Sequence, residues 1–283
     1  MNCRIDSNFI PLPKIIIICM AEQPKISVVT VSFNTRDCIE KTIKSVIGQT
    51  YDNVEYLIID GGSTDGAQEI IGRYADRIDY FVSERDRGIY DGMNKGIAAA
   101  TGDYIIFMNA DDVFADDSVL ADVAAFAALH PEAEVIFGAS EQVWEHGTYT
   151  VNPTEAAIGH KMAISHQATF VKLDVIRTHP FDLRYRYAAD FEQLSHFHIE
   201  GRRFEHLDRT IARVEMRGGT THDHEIESAK EMYSIIESRG IDIAAEKKRI
   251  LRHKRMVRFA KKVLPGFISR PLFAVVAKVY KAL

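Results

Sequence analysis

The stretch from Ser83 to Val113, SERDRGIYDGMNKGIAAATGDYIIFMNADDV, places an acidic cluster directly after an apolar strand. The run 104–108 predicts a buried strand, and Asn109, Asp111 and Asp112 follow it. In open α/β sheets, the carboxyl ends of the strands deliver the groups that bind ligands. The stretch therefore predicts a site for a metal ion and a nucleotide.

Strand and helix patterns alternate on both sides of this stretch. The strand–helix pairs are predicted at 26–33 and 36–48, 54–60 and 65–74, 78–82 and 90–100, and 104–108 and 117–129. Four such units predict an α/β fold with a mostly parallel sheet and a Rossmann-like, nucleotide-binding half that ends near residue 130. Right-handed crossovers would bring Asn34, Asp60, Glu84 and Asp111 to one edge of the sheet.

The alternation ends after His130-Pro131. A strand is predicted at 135–137 and a hairpin at 143–151, and the pattern is mainly helical from Glu225 onward. We therefore predict an N-terminal extension over 1–24, one large domain over 25–224, and C-terminal helices over 225–283. Met20 opens a segment that would make a natural start, so residues 1–19 are expected to be dispensable.

The charge of the chain is unevenly distributed. The 283 residues are 46% hydrophobic and carry a formal net charge of −5, but residues 247–283 hold 12 of the 35 Lys and Arg and no Asp or Glu. A helical projection of 247–264 separates an apolar face from a basic face, which is typical of helices that lie on anionic membranes. We predict that this tail attaches the protein to an anionic membrane surface; the alternative is that its apolar face packs on the protein body or on a second subunit. The acidic body argues against nucleic-acid binding.

The cysteines indicate a reducing compartment. Cys3, Cys19 and Cys38 are odd in number and show no paired spacing, so neither a disulfide framework nor a zinc site is predicted. The apolar run 15–20 is shorter than the roughly 20 residues that a membrane-spanning helix needs. The expected location is cytoplasmic, on the inner face of the plasma membrane.

Two acidic motifs follow strands. In the segment DGGSTD, Asp60 lies at a strand end and would accept hydrogen bonds from a base or ribose, whereas Asp65 would cap the next helix. Asn109, Asp111 or Asp112 could also cap a helix, but three oxygen-bearing side chains exceed that need. Mg2+ and Mn2+ prefer carboxylate oxygens and usually share them with a diphosphate, so the second motif fits either of these ions as cofactor.

The segments PKISVVTVSFN, DGGSTD, SERDRGIYDGMNKG and FMNADD together resemble family 2 glycosyltransferases, particularly bacterial enzymes that build surface polysaccharides. The resemblance covers about residues 25–221 and implies a fold of the GT-A type. It places Thr30, Ser32 and Asp60 against the nucleotide base, and the acidic triplet against ribose and metal. Asp111 is then the best metal ligand. The family's first acidic position is Asn109 here, which leaves open whether Asp112 also binds the metal.

The same resemblance assigns the turn 86–88 and the Asn94-Lys95 pair to the lining of the donor site, where Arg87 and Lys95 would offset diphosphate charge. Without it, Lys95 would be interpreted as an ordinary surface residue. The predicted nucleotide-binding residues are Thr30, Ser32, Asn34, Asp60, Arg87, Asn94, Lys95 and Asp111, and the predicted metal ligands are Asp111 and Asp112.

The segments ISHQATF at 164–170 and YAADFE at 187–192 match the acceptor half of the family. By this resemblance Asp190 is the general base that removes a proton from the acceptor hydroxyl. Glu192 would point away from Asp190, which leaves the single base that inversion requires. His166 and Gln167 either orient the acceptor or are buried structural residues.

A histidine near residue 222 is a further candidate metal ligand. The run MRGGTTHDH at 216–224 resembles the loop that closes the donor site, so His222 or His224 could complete the metal shell. For His224, a place in a flexible polar loop is the simpler interpretation.

The sequence thus predicts an inverting glycosyltransferase that moves a sugar from a nucleotide diphosphate donor, with uracil as the expected base, to a glycan or polyprenyl-linked acceptor. A sugar nucleotidyltransferase is a second hypothesis, but the segment SFNTRDC after the first strand lacks the glycine-rich loop typical of that class. A third is an inactive nucleotide-binding module at the membrane, which the neutral Asn109 motivates.

Overall fold

The computed structural model describes residues 23–145, 147–155, 158–159, 161, 163–216, 224–244, 247–252 and 255. They divide into two compact units. Described residues up to 184 and from 189 to 216 form the first unit, and residues 185–188 with those from 224 onward form the second. The predicted extension over 1–24 lies almost wholly outside the described residues, as does most of the basic tail. The predicted domain boundaries stay predictions.

Four parallel strands build the N-terminal half of the sheet. They are β1 (Ile26–Ser32), β2 (Val54–Asp60), β3 (Tyr80–Ser83) and β4 (Tyr104–Phe107), in the order β3-β2-β1-β4. The helices of this half are α1 (Ile39–Ile47), α2 (Ala67–Gly72), α3 (Ile89–Ala99) and α4 (Val119–Leu129). The predicted strand–helix alternation is confirmed. Because β1 to β4 are parallel, the loops that follow them leave from one edge of the sheet.

The second half of the sheet is mixed. Its strands are β5 (Val113–Phe114), β6 (Val135–Trp144), β7 (Gly147–Val151), β8 (Thr169–Lys172) and β9 (Phe204–Glu215). The order continues β4-β8-β6-β9-β5, with β7 paired to β6. The helices α5 (Leu173–Thr178) and α6 (Ala189–Ile199) belong to this half. Only β6 and β9 pair in parallel here, so the described sheet has parallel strands chiefly in its nucleotide half.

Four strands of this half differ from the prediction, since β5, β8 and β9 were not predicted and β6 is longer than the strand predicted at 135–137. The strand predicted at 135–137 and the first arm of the predicted hairpin are one ten-residue strand, β6, which continues through a register shift between Phe137 and Ser140. The hairpin itself is confirmed, since Trp144 of β6 pairs with Gly147 of β7. The twelve-residue β9 has no counterpart among the predicted elements, since charged residues interrupt its apolar pattern. One of these charges, Arg213, lies directly opposite Glu141 of β6 and donates to it over 2.7 Å. Cross-strand pairs of this kind stabilise a strand that lacks a continuous apolar face.

Helix α3 packs closely on β1 because two of its residues are glycines. A Cβ atom on Gly96 would lie 2.5 Å from Cγ1 of Val29, and one on Gly92 would lie 2.7 Å from Cγ1 of Val31. Both valines are buried. The missing side chains therefore let the helix backbone approach the strand, which fixes the start of α3 near the carboxyl end of β1.

Replacing Gly96 with alanine should destabilise the fold by about 1–3 kcal/mol, because the added methyl group overpacks against Val29. The free energy of unfolding, measured by denaturant titration, tests this. Gly72→Ala is the matched control, since a Cβ atom there meets nothing within 4 Å. Equal stability of the two variants would show that α3 can move away from β1 at no cost.

In the second unit, α7 (Glu225–Ser238) holds the segment 185–188 through one carboxylate. Glu231 accepts hydrogen bonds from the backbone N–H groups of Arg186, Tyr187 and Ala188 over 3.0, 2.7 and 3.1 Å. No helix in the described part of the chain combines the length and the apolar character that a membrane crossing requires. The predicted membrane-binding face of 247–264 lies largely outside the described residues.

Candidate active site

The loop after β2 is organised around Asp60, which is fully buried. Its Oδ2 accepts hydrogen bonds from the backbone N–H groups of Gly62 and Ser63 and from the Ser83 hydroxyl, over 3.2, 2.9 and 2.6 Å. Its Oδ1 accepts from the Ser63 hydroxyl over 2.5 Å. Asp60 thus fixes the DGGSTD turn from inside, and a nucleotide base would have to share or replace one of these donors. Asp65 accepts from the N–H of Ala67, the first residue of α2, over 3.0 Å, although the N-cap position itself is Gly66 and not Asp65 as predicted.

The loop after β1 is tied to the same turn through Asn34. This residue has a φ of 52°, donates its backbone N–H to the Ser63 hydroxyl and accepts from the N–H of Thr64. Ser32, at the end of β1, is buried and shares a 2.7 Å hydrogen bond with the Thr35 hydroxyl. The ends of β1 and β2 therefore form one connected surface, as the sequence predicted.

The sequence analysis missed Phe33, an aromatic residue beside this surface. Its side chain is 60% exposed, although large apolar side chains are usually buried. A Cβ atom on Gly61 would lie 3.3 Å from the Phe33 ring and 2.6 Å from Oδ2 of Asp86. Gly61 thus leaves room for Asp86 and the Phe33 ring, and the exposed ring offers a flat surface to a planar ligand. The available signal was a phenylalanine directly after a buried strand, at its ligand-binding end.

Two predicted nucleotide contacts have partners inside the protein instead. Thr30 is fully buried, donates its hydroxyl to the Met108 carbonyl over 2.8 Å and lies 3.1 Å from the Tyr56 hydroxyl. Asn94 donates to the Phe181 carbonyl over 2.8 Å and accepts from the Phe181 N–H over 2.9 Å. These hydrogen bonds satisfy both side chains, so we leave both out of the proposed donor contacts.

The two predicted cations near the donor are already paired. Arg87 is exposed and lies 2.9 Å from Asp91, and this pairing raises the pKa of Arg87 and lowers that of Asp91. Lys95 lies 2.8 Å from Glu84 and donates to the Arg85 carbonyl over 3.2 Å. Both cations lie around the turn at 86–88. A diphosphate would have to compete with these carboxylates for them.

Asp111 is held in an uncommon backbone conformation at the end of the acidic motif. Its φ is 88°, a region that aspartate and asparagine enter more readily than other non-glycine residues. The Thr42 hydroxyl accepts its backbone N–H over 3.0 Å, and Lys41 forms an ion pair with its carboxylate. The start of α1 therefore orients Asp111, and a lysine ammonium already lies against the predicted metal ligand.

Asp112 is buried and turned toward the second half of the sheet. Its Oδ2 accepts from the Gln167 side chain over 3.0 Å, and its Oδ1 accepts from the N–H of Glu215 over 3.2 Å. Burial raises the pKa of this carboxyl to about 6, although the hydrogen bond from Gln167 works in the opposite direction. Gln167, predicted to bind acceptor, thus contacts the acidic motif directly.

The acidic motif has the oxygen atoms that a hard cation needs. The Asp111 side chain is 38% exposed. Oδ1 of Asn109 is buried and has no hydrogen-bond partner among the described residues. A buried polar atom without a partner is costly, and a cation is one of the partners that can satisfy it. The donor set of one carboxylate and one amide oxygen therefore fits Mg2+ or Mn2+ shared with a diphosphate.

Removing the Lys41 ammonium should strengthen Mn2+ binding by about two- to fivefold, the equivalent of one exposed ion pair. Lys41→Met removes a cation that competes for the Asp111 carboxylate. Calorimetric Mn2+ titration of nucleotide-free protein measures the change. Lys44→Met, on the same helix and paired with Glu40, is the control and should leave the affinity unchanged. Unchanged or weaker binding in Lys41→Met would show that Lys41 does not compete with the metal.

Asp190, on the first turn of α6, is buried and accepts three hydrogen bonds. The Tyr90 hydroxyl and the N–H of Phe191 donate to its Oδ1 over 2.9 Å each, and Nδ1 of His166 lies 3.1 Å from its Oδ2. Burial works to raise the pKa of Asp190, but His166, Tyr90 and the Phe191 N–H together hold it below its ordinary value. The carboxylate is therefore ionised at neutral pH.

His166 joins Asp190 to the acidic motif. Its Nε2 lies 3.1 Å from Nδ2 of Asn109, while its Nδ1 faces Asp190. The tautomer with hydrogen on Nδ1 satisfies both contacts, since Nδ1 then donates to Asp190 and Nε2 accepts from Asn109. The predicted base, the predicted acceptor residue and the first residue of the acidic motif thus form one hydrogen-bonded row.

The remaining candidates contribute less. His222 lies outside the described residues. His224 belongs to the second unit, where its ring stacks on Tyr187 with the centroids 4.8 Å apart. Glu192 lies 2.9 Å from Nε2 of His179. Tyr90 is a contact that the sequence analysis missed, because its partner Asp190 lies 100 positions away in the chain.

Comparison with known proteins identifies related sequences. The family model described as Glycosyl transferase family 2 matches residues 27–182. An uncharacterised glycosyltransferase of Mycobacterium tuberculosis is 34% identical over 179 residues, which cover 61% of this chain and 68% of the relative. A PGL/p-HBAD biosynthesis glycosyltransferase of Mycobacterium bovis is 30% identical over 177 residues, covering 60% of this chain and 68% of that protein.

Solved structures share the fold. Residues 1–349 of Staphylococcus aureus TarS in complex with UDP-GlcNAc match with a TM-score of 0.61 at 18% identity, covering 80% of this chain and 70% of that TarS chain. The Pyrobaculum calidifontis mannosyltransferase PcManGT, in complex with GDP-Man and Mn2+, matches with a TM-score of 0.63 at 16% identity. The match covers 91% of this chain and 81% of the PcManGT chain. At these identities the likeness shows the fold, and it confirms the GT-A-like architecture predicted from the sequence.

Proposed function

Because the chain belongs to glycosyl transferase family 2, and is therefore a glycosyltransferase, we propose that it transfers a sugar from a UDP-sugar to an acceptor hydroxyl with inversion at the anomeric carbon. The observation that carries the proposal is the hydrogen-bonded row from Asn109 through His166 to Asp190. It connects a candidate metal site, where a donor diphosphate would bind, to one buried carboxylate that can act as base.

Asp190 is suited to act as the general base. It is ionised at neutral pH and can take the proton of an acceptor hydroxyl as that oxygen attacks the donor sugar. Tyr90 and His166 hold the carboxylate in one orientation, at some cost in basicity, because they stabilise its charge. A single positioned base is sufficient for inversion, whereas retention by double displacement would need a carboxylate nucleophile as well.

The donor would bind at the carboxyl ends of β1, β2 and β4. In this proposal Asp60 and Asn34 hold the base and ribose, Phe33 contacts the base, and Arg87 and Lys95 face the diphosphate. Asp111, with the Asn109 oxygen, would hold Mg2+ or Mn2+. Such an ion stabilises the negative charge of the departing nucleotide. The UDP-GlcNAc in the TarS structure supports a uridine nucleotide, and the Mn2+ in PcManGT supports a metal.

We place the reaction in the synthesis of surface polysaccharide or glycolipid. One relative is named for PGL/p-HBAD biosynthesis, and a Bacillus subtilis relative, 36% identical over 100 residues, is named for teichuronic acid biosynthesis. We propose a glycan or polyprenyl-linked molecule as the acceptor. A cytoplasmic protein whose basic tail over 247–264 rests on the inner face of the plasma membrane would meet such an acceptor.

The proposal is tested by binding and by product analysis. UDP binding to the full chain is measured calorimetrically with and without Mn2+, and UDP-sugars are then screened for transfer to oligosaccharide and lipid-linked acceptors. Metal-dependent UDP binding and a product of inverted anomeric configuration, assigned by NMR, would support it. A product of retained configuration would overturn the mechanism, and a folded protein that binds GDP or dTDP but not UDP would overturn the choice of base.

Tyr90→Phe should shift the acidic limb of the pH–rate profile to higher pH. The Tyr90 hydroxyl helps to lower the pKa of Asp190, so its removal raises that pKa and the base becomes protonated at a higher pH. The phenylalanine keeps the ring against Phe181, 5.4 Å away between centroids. Tyr104→Phe, which loses a buried hydroxyl bonded to the Ala133 carbonyl, is the control. Identical profiles for Tyr90→Phe and the parent would mean that Tyr90 does not tune the base.

A further inference from the structure

A second group of side chains of the types that bind metal ions lies on α6 and directly after α5, in the first unit of the chain. His179 follows α5, while Glu192 and His196 are spaced four residues apart on α6. One ligand atom from each of the three lies within 4.8 Å of the other two. Nε2 of His179 is 2.9 Å from Glu192, and the His179 and His196 rings stack with their centroids 3.7 Å apart.

The side chains of this group have the chemistry of a transition-metal site. Two imidazoles and a carboxylate suit Zn2+ and its neighbours in the first transition series, whereas the oxygen-only acidic motif suits Mg2+ or Mn2+. Residues four apart on a helix lie on the same face, so one cation can reach both Glu192 and His196. Because the two imidazole rings are stacked, at least one of them would have to turn out of the stack before both could form zinc bonds of about 2.0–2.2 Å.

The surroundings of these three residues also suit a metal site. All three residues are half-buried, which leaves the group sheltered but open to an entering ion. Glu200, directly after the end of α6, lies 3.2 Å from Nε2 of His196 and can orient that ring or join the ligands. The other group of this kind among the described residues, His130, Glu132 and Glu205, has one imidazole and an exposed member. The His179 group is therefore the better candidate.

We propose that His179, Glu192 and His196 bind a transition-metal ion of the Zn2+ class, separate from the cation at Asp111. The ion would join the segment after α5 to the helix that carries Asp190. The backbone of this segment is already held by Gln193 of α6, which donates to the His179 carbonyl over 2.9 Å, and by Asn94, which binds the backbone of Phe181. The metal would add a link between side chains to these backbone contacts. Its role would be structural, and Asp190 would gain a more rigid support.

The test uses the full-length protein, stripped of metal, and Zn2+ or the spectroscopic probe Co2+. We expect one tight Zn2+ site per chain, a rise in Tm on adding Zn2+, and visible Co2+ absorption that Zn2+ abolishes. His179→Gln and His196→Gln should each weaken Zn2+ binding at least about a hundredfold, since loss of an outer-shell partner alone costs about ten- to a hundredfold. Asp111→Asn should retain the site, because its carboxylate belongs to the other cation.

His198→Gln is the matched control, since His198 lies on the same helix with its ring against Phe204 and outside the group. Its Zn2+ affinity should equal that of the parent. Circular dichroism checks that each variant is folded. If a histidine variant is not folded, Glu192→Gln tests the same metal site. Zn2+ binding that is equally weak in the parent, His179→Gln and His196→Gln would overturn the proposal. Tight binding that survives His179→Gln, His196→Gln and Glu192→Gln would also overturn it.

Discussion

Asp190→Asn is expected to lower the rate of sugar transfer by about a hundredfold to ten-thousandfold, the usual contribution of a positioned general base. Asparagine has nearly the same shape, so it can still accept hydrogen bonds from Tyr90 and from the N–H of Phe191 through its remaining oxygen. It cannot take the proton of the acceptor hydroxyl. The loss should therefore fall on kcat, while the affinity for UDP stays close to that of the parent.

Steady-state kinetics and calorimetry on the same protein separate these effects. Asp174→Asn is the control, because Asp174 is an exposed aspartate on α5 and its loss changes the net charge by the same amount. It should keep full activity. If Asp190→Asn also loses UDP affinity, the residue supports the donor site rather than the proton transfer. If Asp190→Asn retains its turnover, another group must be the base.

Asp111→Asn is expected to raise the Kd of UDP in the presence of Mn2+ by at least about a hundredfold and to leave metal-free binding little changed. The substitution removes the ligand charge without a change of shape. Asparagine is a better probe than alanine here, because the φ of 88° is one that asparagine tolerates and alanine does not. A loss of affinity in Asp111→Asn can therefore be attributed to the metal rather than to backbone strain.

Calorimetric titrations with UDP alone, Mn2+ alone and both together measure the coupling between metal and nucleotide. Asp52→Asn serves as control, since Asp52 is exposed and lies before β2, at the opposite end of that strand from Asp60. Equal coupling in Asp111→Asn and the parent would remove Asp111 from the metal site. Thermal melts in the absence of metal check that the Asp111 variant is folded.

Local patterns predicted the nucleotide half of the fold correctly. Buried strands, helical spacing and glycine-rich turns are properties of neighbouring residues, so β1 to β4 and their helices were visible in the sequence. β9 was not, because its stability comes from a partner such as Glu141, 72 positions away from Arg213, and not from its own pattern. The same reason explains why the sequence analysis predicted the hairpin but did not join its first arm to the strand at 135–137.

The candidate active site was likewise predicted only in part. Asp60 and Asp111 could be named because they lie at the ends of predicted strands, and Asp190 because its segment resembles the acceptor half of family 2 glycosyltransferases. Their partners could not be named. The contacts of Lys41 with Asp111 and of Tyr90 with Asp190 join residues 70 and 100 positions apart. Internal hydrogen bonds also changed two assignments, those of Thr30 and Asn94. The local pattern does not show that Thr30 donates to the Met108 carbonyl or that Asn94 pairs with the backbone of Phe181.

The position of β5 has a consequence for the order in which the chain folds during synthesis. The acidic loop lies between β4 and β5, and β5 pairs only with β9 among the described strands, with Val113 opposite Arg213. Asp112 likewise accepts from the N–H of Glu215. The ribosome must therefore make about a hundred more residues before the loop's far border can form. We expect a nascent chain that ends before β9 to have its β1–β4 framework and to lack a finished metal site.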